Sequence, residues 1–337
     1  MAHGILSFFK KQWKSVLFSI LALLLIVIYY AFFWPILVPV PSTNSWLESD
    51  NTVIFCGSVL TSPLTQDNGL FFIDVNNNKK IVRWEPTTIG SYDCGTVEWI
   101  SQKGQLQFDG VINSVYGLYI LDKGGNVTKQ IDTNTFDPHS SMNYVISSDG
   151  QDMAFVYEED IYVQNIEDSS RQRLTHDAYI NREPDWSPDN QSLVFRTYRQ
   201  DEDISTIGII DRDGTNLIIL AQSENSLNTP KWAPNGEMIA FKEFNEGHRN
   251  TLWTMNADGT NVRRILIPNK DGDTVGDFVW SSDSTHILFL SSRDEVCFVS
   301  VYPRTCTKSL YQIDIYTGEV TSLIQKWLFS ANLALIE

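Results

Sequence analysis

The sequence predicts an all-β protein, a six-bladed β-propeller of four-stranded blades, preceded by one N-terminal transmembrane helix. A repeat runs along the chain and is clearest in PDWSPDNQSLVF, Pro184 to Phe195, where an anchor residue precedes a Phe by nine positions. Six copies follow one another at intervals of 40–53 residues, with anchors at Trp46, Trp99, Ile146, Trp186, Trp232 and Trp280. Self-similarity at about 40–50 residues, with four short strands per unit, is typical of propellers.

Each copy also has the pattern of four strands. In the fourth copy, strand a ends at Trp186, SPDN turns the chain, and SLVF, STIGIID and NLIIL supply strands b, c and d. Apolar and polar residues alternate in these runs, and Asp, Asn and Gly occupy the turns. Because one such sheet cannot bury both of its faces alone, we expect the anchor aromatics to pack between neighbouring blades.

A ring of blades must also close, because an open first or last sheet would leave backbone groups unpaired. The apolar, strand-like segment Trp327 to Ile336 follows the last copy. We predict that it closes the ring by pairing with Thr52 to Phe55, which is strand b of the first copy. Ser45 to Leu47 either continues that blade or leads into it.

The N-terminal segment predicts a membrane anchor. Ser15 to Leu47 contains no charged residue, and the 19 residues from Val16 to Trp34 span roughly the 30 Å of a hydrocarbon core. Lysines precede this run and no Lys or Arg follows it until Lys79, so the N-terminus is expected in the cytoplasm and the propeller outside. A cleaved signal peptide is disfavoured because the run is longer than about 15 residues and lacks a small-residue cleavage site.

These patterns give the expected domain organisation. Residues 1–14 form a short cytoplasmic tail, 15–36 the transmembrane signal-anchor helix, and 37–45 a proline-containing stalk. Residues 46–337 form the propeller. The prolines of the stalk end the helix and favour an extended, stiff conformation.

Composition limits the function. With 337 residues, 42% of them hydrophobic, the chain can bury a large core. Its net charge of −16 repels phosphate backbones, so no nucleic-acid partner is expected.

Two phrases, RLTHDAYINREPDWSPDNQSLVF and LWTMNADGTNVRRI, resemble the TolB-like β-propeller repeat, in which a WSPDG turn and an IAF strand precede a D-DG-N turn. The resemblance is close over residues 173–265 and looser before Asp149. It implies a six-bladed ring that acts as a protein-binding platform in the cell envelope. Related propellers gate serine peptidases, but the chain ends after the ring, so we expect no hydrolase domain.

The four cysteines favour two disulfides in an exported domain, although the sequence permits three pairings. Cys297 and Cys306 bracket a long loop of the sixth copy, where a local bridge would be effective. Cys56 and Cys94 fall on the same face of adjacent blades, so their pairing is compatible with the fold. Neither pair has the spacing of a metal site.

No pattern for catalysis, metal or cofactor binding is found. The five histidines form no paired-ligand motif, and there is no G-x-S-x-G elbow, Walker loop or dinucleotide fingerprint. The D-x-DG-x-N run at Asp211 to Asn216 is similar to a calcium loop, but Ser223 stands where the twelfth-position Glu is needed, so it is predicted to be a hairpin turn.

A partner is expected at the face that carries the b–c and d–a loops, because these loops are the longer ones. Tyr and Arg are enriched at interface hot spots. The candidate partner-binding residues are Tyr198, Arg199, His248, Arg249, Arg293 and Tyr302. Arg199 and Arg293 have a second interpretation, as ion pairs between blades.

The sequence therefore favours a non-catalytic module that binds a protein or peptide in the cell envelope. The alternative is a carbohydrate-active or other hydrolytic propeller enzyme, using acids such as Asp201, Glu202 and Asp203. Glycosidases need two carboxyl groups that converge at about 5–10 Å, and three adjacent acids in one loop do not provide this. A sensor that signals through the membrane is a third interpretation, disfavoured by the short cytoplasmic tail.

Overall fold

The structure is a computed structural model. It describes residues 36–39, 52–62, 65–74, 80–83, 92–112, 115–122, 126–131, 144–245, 249–266, 274–291, 297–298, 305–306 and 308–335. The chain divides into two compact units, residues 1–36 and 37–337. The predicted tail and all of the predicted span except Ile36 lie outside the described residues. No helix in the described part is long and apolar enough to cross a membrane.

The described part of the second unit consists mainly of β-strands. The first four are β1 (Ile36–Pro39), β2 (Thr52–Ser62), β3 (Thr65–Asp74) and β4 (Lys80–Arg83). Sheet II contains β5 (Tyr92–Ile100), β6 (Gln105–Ile112), β7 (Val115–Leu121) and β8 (Val127–Ile131). A 3₁₀ turn, Ser101–Lys103, joins β5 to β6. Sheet III contains β9 (Tyr144–Ile146), β10 (Asp152–Tyr157), β11 (Asp160–Asn165) and β12 (Arg171–Arg173).

Sheets IV and V have the same antiparallel order. Sheet IV contains β13 (Ile180–Trp186), β14 (Ser192–Arg199), β15 (Ile204–Asp211) and β16 (Ile218–Ser223). Sheet V contains β17 (Ser226–Trp232), β18 (Met238–Asn245), β19 (Arg249–Asn256) and β20 (Arg263–Leu266). The last strands are β21 (Val275–Trp280), β22 (His286–Ser291), β23 (Cys297–Phe298), β24 (Thr305–Cys306), β25 (Lys308–Asp314) and β26 (Val320–Leu335).

The first and last repeats share one sheet, which we call sheet I. Its order is β1-β4-β3-β2-β26-β25-β22-β21. The strand that joins them is β26, whose first part places Val320 opposite Ile313 of β25 and whose last part places Leu335 opposite Val53 of β2. The predicted closure by the C-terminal segment, with strand b of the first copy as its partner, is confirmed.

The prediction of six separate blades is wrong in its count. The described residues form a propeller of five blades, four of them four-stranded sheets and the fifth the eight-stranded sheet I. The difference arises because β26 is a single strand of 16 residues. We expected separate strands at 320–324 and 327–336, but no turn interrupts them, so the backbone ladder continues from the last repeat into the first.

The predicted hairpin frame is confirmed in sheet IV. β14 pairs with β15 from Ser192 opposite Asp211 to Arg199 opposite Ile204. The turn between β13 and β14 needs a left-handed residue four positions after the anchor, and Asn190 takes that position with a φ of 58°. Its side-chain oxygen accepts a hydrogen bond of 2.9 Å from the backbone of Ser148, in the same turn of sheet III. The turn chemistry therefore links neighbouring sheets.

Two anchor tryptophans, Trp186 and Trp280, pack between sheets, as predicted. Trp186 is buried against Val145 and Ala154 of sheet III, and its indole N–H donates to the carbonyl of Val145 at 3.3 Å. Trp280 is buried against sheet V in the same way and donates to the carbonyl of Lys231 at 3.1 Å. These two anchors thus combine apolar burial with a hydrogen bond to the preceding sheet.

Deleting residues 326–337 should lower the melting temperature by at least about 5 °C, because it leaves β2 without its closing partner and opens the ring. Thermal unfolding of the purified chain measures this. Tyr316→Ser is the matched control, since this side chain lies in a turn and is 64% exposed. An unchanged melting curve with intact protease resistance would show that the segment near Trp46 closes the first blade unaided.

Candidate functional site

The innermost strands of sheets IV and V carry a β-bulge at the same place. The pairing register shifts between Arg182 and Asp185 in β13, and between Asn228 and Lys231 in β17. Glu183 within the first bulge has a φ of 56°, a left-handed conformation that is uncommon for a residue other than Gly. Bulges redirect side chains and are frequent beside functional sites. Here they direct acidic side chains towards the neighbouring blade.

Three acidic side chains on the inner strands accept hydrogen bonds from the next sheet. Glu183 Oε2 accepts from the backbone N–H of Thr229 at 2.6 Å. Asp185 Oδ2 accepts from the N–H of the anchor Trp232 at 2.7 Å. In sheet II, Glu98 Oε2 accepts from the N–H of the anchor Ile146 at 2.9 Å. These carboxyl groups accept hydrogen bonds from backbone N–H groups on the inner edges of the sheets, where there is no neighbouring strand to accept them.

Lys231 lies in the field of several of these acids. Burial opposes the charge of its ammonium, but Asp185, Asp277, Glu98 and Glu183 together raise its pKa above the ordinary value. These residues come from four different inner strands, so their charges meet where the blades converge. We call Glu98, Asp185, Lys231 and Asp277 the axial cluster.

Burial disfavours the charged form of the acids in the axial cluster, and for an acid this raises the pKa. It raises the pKa of Glu98 to about 8, even though the Ile146 N–H and Lys231 favour the ionised form. It also raises the pKa of Asp185, against the effects of Lys231 and the Trp232 N–H. Both side chains are half-buried, so desolvation by the surrounding blades outweighs their partners. Glu98 is therefore mostly protonated at neutral pH.

A groove lies on the face where we expected a partner, across the inner ends of sheets IV and V. It consists of two cavities of about 350 Å³ each, which share Ser226. The first is lined by Ile180, Arg182, Arg196, Tyr198, Asp203, Ser205, Glu224, Asn225 and Ser226. The second is lined by Glu183, Ser226, Asn228, Thr229, Lys242, Phe244 and Asn250.

The groove is built around an ion pair. Arg196 Nε lies 3.3 Å from Glu183 Oε2, and both side chains keep about a fifth of their surface exposed. The same carboxyl group holds the bulge through Thr229, so the position of Arg196 depends on the inner strands. On the rim, the Tyr198 hydroxyl donates to Asp203 Oδ1 at 2.6 Å, and this bond raises the pKa of Tyr198. Arg182 adds a second half-buried cation to the lining.

The structure tests only part of the predicted partner-binding set. Tyr198 lines the groove. Arg199 does not; it pairs with Glu202 at 3.5 Å in its own hairpin and lies 5.3 Å from the ring centre of Tyr179. Arg249 is the first residue of β19, and its side chain lies outside the described residues, as do His248, Arg293 and Tyr302. For these four residues the prediction stands as made.

Sequence reasoning missed Arg182, Glu183, Arg196 and the axial cluster. A signal was present, because Glu98, Asp185 and Lys231 each directly precede an anchor residue. Charged residues at a position next to a buried tryptophan are costly unless they face a polar space. That position in the repeat could have identified the axial cluster before the structure.

The described residues contain no group of three or more His, Cys, Asp or Glu side chains placed to hold a metal ion. In the turn between β14 and β15 of sheet IV, two of the acids considered for catalysis have structural partners. Asp203 accepts from Tyr198, and Glu202 pairs with Arg199. The b–c turn thus uses its acids to hold its own side chains.

Replacing Glu98 by Gln should remove a pH-dependent loss of stability. A carboxyl group whose pKa rises from 4.5 to about 8 on folding binds its proton more tightly in the folded state. Its contribution is therefore present at low pH and is lost between about 4.5 and 8. One pKa unit corresponds to about 1.4 kcal/mol. We therefore expect Glu98 to make the free energy of unfolding of the native chain, measured with urea, lower at pH 8 than at pH 5 by more than about 1 kcal/mol.

Glu98→Gln keeps an acceptor for the Ile146 N–H, so this difference should shrink without loss of the fold. The exposed Glu319→Gln is the control and should leave the difference unchanged. An equal pH dependence in native chain and Glu98→Gln would contradict the raised pKa.

Comparisons with known proteins agree with this geometry. Residues 112–187 match the model of the dipeptidyl peptidase IV N-terminal region. The Tol-Pal system protein TolB of Desulfosudis oleivorans is 30% identical over 108 residues, which cover 32% of this chain and 23% of that protein. The chain spans about half, or less, of the length of the curated relatives that it matches.

Solved structures share the fold. A structure assigned as TolB from Agrobacterium tumefaciens has a TM-score of 0.56 at 20% identity, covering 84% of this chain and 91% of that one. An oligogalacturonate lyase in complex with manganese has a TM-score of 0.50 at 15% identity, covering 80% of this chain and 73% of that one. Together, the repeat phrases, the four-stranded blades and these matches show that the chain has a TolB-like β-propeller fold.

Proposed function

We propose that this protein is a membrane-anchored, extracytoplasmic β-propeller that binds a protein or peptide partner of the cell envelope and has no catalytic activity. The observation that carries the proposal is the groove across sheets IV and V. It presents Arg182, Arg196 and Lys242 beside Tyr198 and Phe244 on a rigid scaffold. Arg and Tyr are the side chains that most often anchor protein interfaces.

The lining of the groove favours a polypeptide over a small molecule. Small-molecule sites are mostly enclosed and apolar. This groove alternates charges of both signs along its length, and Phe244 remains 39% exposed. A chain with several spaced side chains matches such a surface better than one compact ligand does.

The fold is shared with a lyase, so the fold alone does not decide between binding and catalysis. The contacts of the described acids support binding. Glu183 is held by Thr229 and Arg196, and Asp203 is held by Tyr198. General acid–base work needs a carboxyl group free to exchange a proton with a substrate, and these are committed to holding the scaffold.

The proposed attachment rests on the sequence. The predicted span at residues 15–36 would hold the propeller at the outer surface of the membrane, and residues 37–45 would separate them. The TolB match is to a protein of the Tol-Pal system, which supports a role in the envelope.

The groove should be required for partner capture. Photo-crosslinking from position 226, at the junction of the two cavities, should give a defined adduct when the full chain is expressed in its own membranes. Tyr198→Ala combined with Arg182→Ala should reduce this adduct by about tenfold or more, because it removes an aromatic anchor and a half-buried cation from the lining. Tyr316→Ala, in an exposed turn on the opposite face, should leave the adduct unchanged. An adduct that survives the double variant would place the partner elsewhere.

The extracytoplasmic location predicts a bridge between Cys297 and Cys306. These residues lie opposite each other in the small sheet of β23 and β24, a backbone register that suits a cross-strand disulfide. Mass spectrometry of non-reduced, alkylated chain from its native membranes should find the two peptides linked. Free, alkylated thiols at both positions would contradict the proposed compartment or the pairing.

A further inference from the structure

In the part of the chain that the structure describes, four of the five outermost strands contain a charged residue or a proline. Among the described residues, the outermost strands are β1, β8, β12, β16 and β20. β8 carries Lys129, β12 carries two arginines, β20 carries two arginines, and β1 contains Pro39. Lys, Arg and Pro on an edge strand prevent another chain from pairing with it.

The exception is β16, whose sequence IILAQS contains no charged residue and no proline. Its N-terminal end is open to solvent: Leu217, just before the strand, is 49% exposed, and Ile218 and Ile219 within it are 57% and 40% exposed. Three consecutive exposed aliphatic side chains at the start of an edge strand are unusual in a protein with a net charge of −16. The C-terminal half packs against sheet V, where an added Cβ on Gly259 would lie 3.1 Å from the Leu220 carbonyl oxygen.

The charges around this edge indicate what would pair with it. Exposed acids stand near both ends, Asp213 in the preceding turn and Glu224 directly after the strand. The neighbouring Arg212 is neutralised by an ion pair with Asp152 of sheet III. The edge is therefore apolar in the centre and negative at its ends.

We propose that β16 is a docking edge for an extended segment of a partner protein, with an apolar centre and basic residues on either side. The segment would add a fifth strand to sheet IV through backbone hydrogen bonds, and its lysines or arginines would lie near Asp213 and Glu224. A second copy of this chain fits less well, because it would bring the same acids and the same net charge to the contact. This edge shares only Glu224 with the groove, and strand pairing along β16 does not depend on the proposed function.

The test uses a fluorescent ten-residue probe peptide, alternating Val and Thr in the centre with two lysines at each end. The full chain in detergent should bind it, and saturation should slow hydrogen exchange of the β16 amides. A peptide with glutamates in place of the lysines, and one with proline in the centre, should both bind at least about tenfold more weakly.

The matched protein variants distinguish this edge from the others. Ile218→Lys gives β16 a basic residue like those on β8 and β20, and it should weaken binding of the probe peptide by about tenfold or more. Thr128→Lys adds the same charge to the exposed face of β8 and should leave binding unchanged. Asp213→Asn with Glu224→Gln should weaken binding and reduce its dependence on salt. An unshifted melting temperature verifies that each variant is folded.

Two results would overturn the proposal. One is binding that is equal in the native chain and Ile218→Lys, or protection that falls outside β16. The other is a dimer of the native chain, seen by sedimentation, that Ile218→Lys dissociates, since the edge would then be an interface between copies.

Discussion

The pairing of β26 with β2 is the interaction on which the rest of the structure depends. Each blade packs only on its neighbours, so a ring of blades is continuous only if the first and last are joined. Between sheets III and IV, and again between sheets IV and V, a described connecting loop separates the outermost strand of one blade from the innermost strand of the next. Between the last repeat and the first there is no such loop, because β26 continues from β25 to β2 as one strand. The ring is thus closed by the backbone and not by side-chain packing alone.

A closed ring leaves backbone polar groups without strand partners at its centre. The inner edge of each blade faces no further strand, and its backbone N–H groups must find other acceptors. Glu98 and Asp185 solve this by bonding to the next anchor residue, while Val145 and Lys231 offer carbonyls to the indoles of Trp186 and Trp280. Placing carboxyl groups there costs desolvation, which is why the pKa of Glu98 rises to about 8. The acids of the axial cluster are therefore there because the inner edges of a closed ring need hydrogen-bond acceptors, and the charges at the centre are a consequence of this.

The sequence was sufficient for the parts of the fold that repeat. Trp186, Phe195 and the turn between them predict the hairpin frame because their spacing matches strand geometry, and the residues Trp327 to Ile336 predict the closing strand because a ring must close. The number of sheets could not be predicted, since nothing in the residues around Ile324 reveals that the strand continues. Tyr198 was found from its residue type and loop position. Arg182 and Arg196 were not, because Arg182 borders the bulge at Glu183 and Arg196 pairs with the Glu183 side chain, and a bulge has no reliable sequence signal.

Sheet IV connects the two proposed surfaces through one residue. Glu224 lines the first cavity of the groove and also follows the last residue of β16. A basic segment at the edge would lower the negative potential that Glu224 contributes to the groove, and so would favour an acidic group beside Arg182. Two basic segments would instead compete for the same carboxylate. Because Glu224 is exposed, this coupling is small and is screened by salt over a Debye length of about 8 Å at physiological ionic strength. The groove and the edge are consequently better suited to two parts of one partner with opposite charges than to two partners of the same charge.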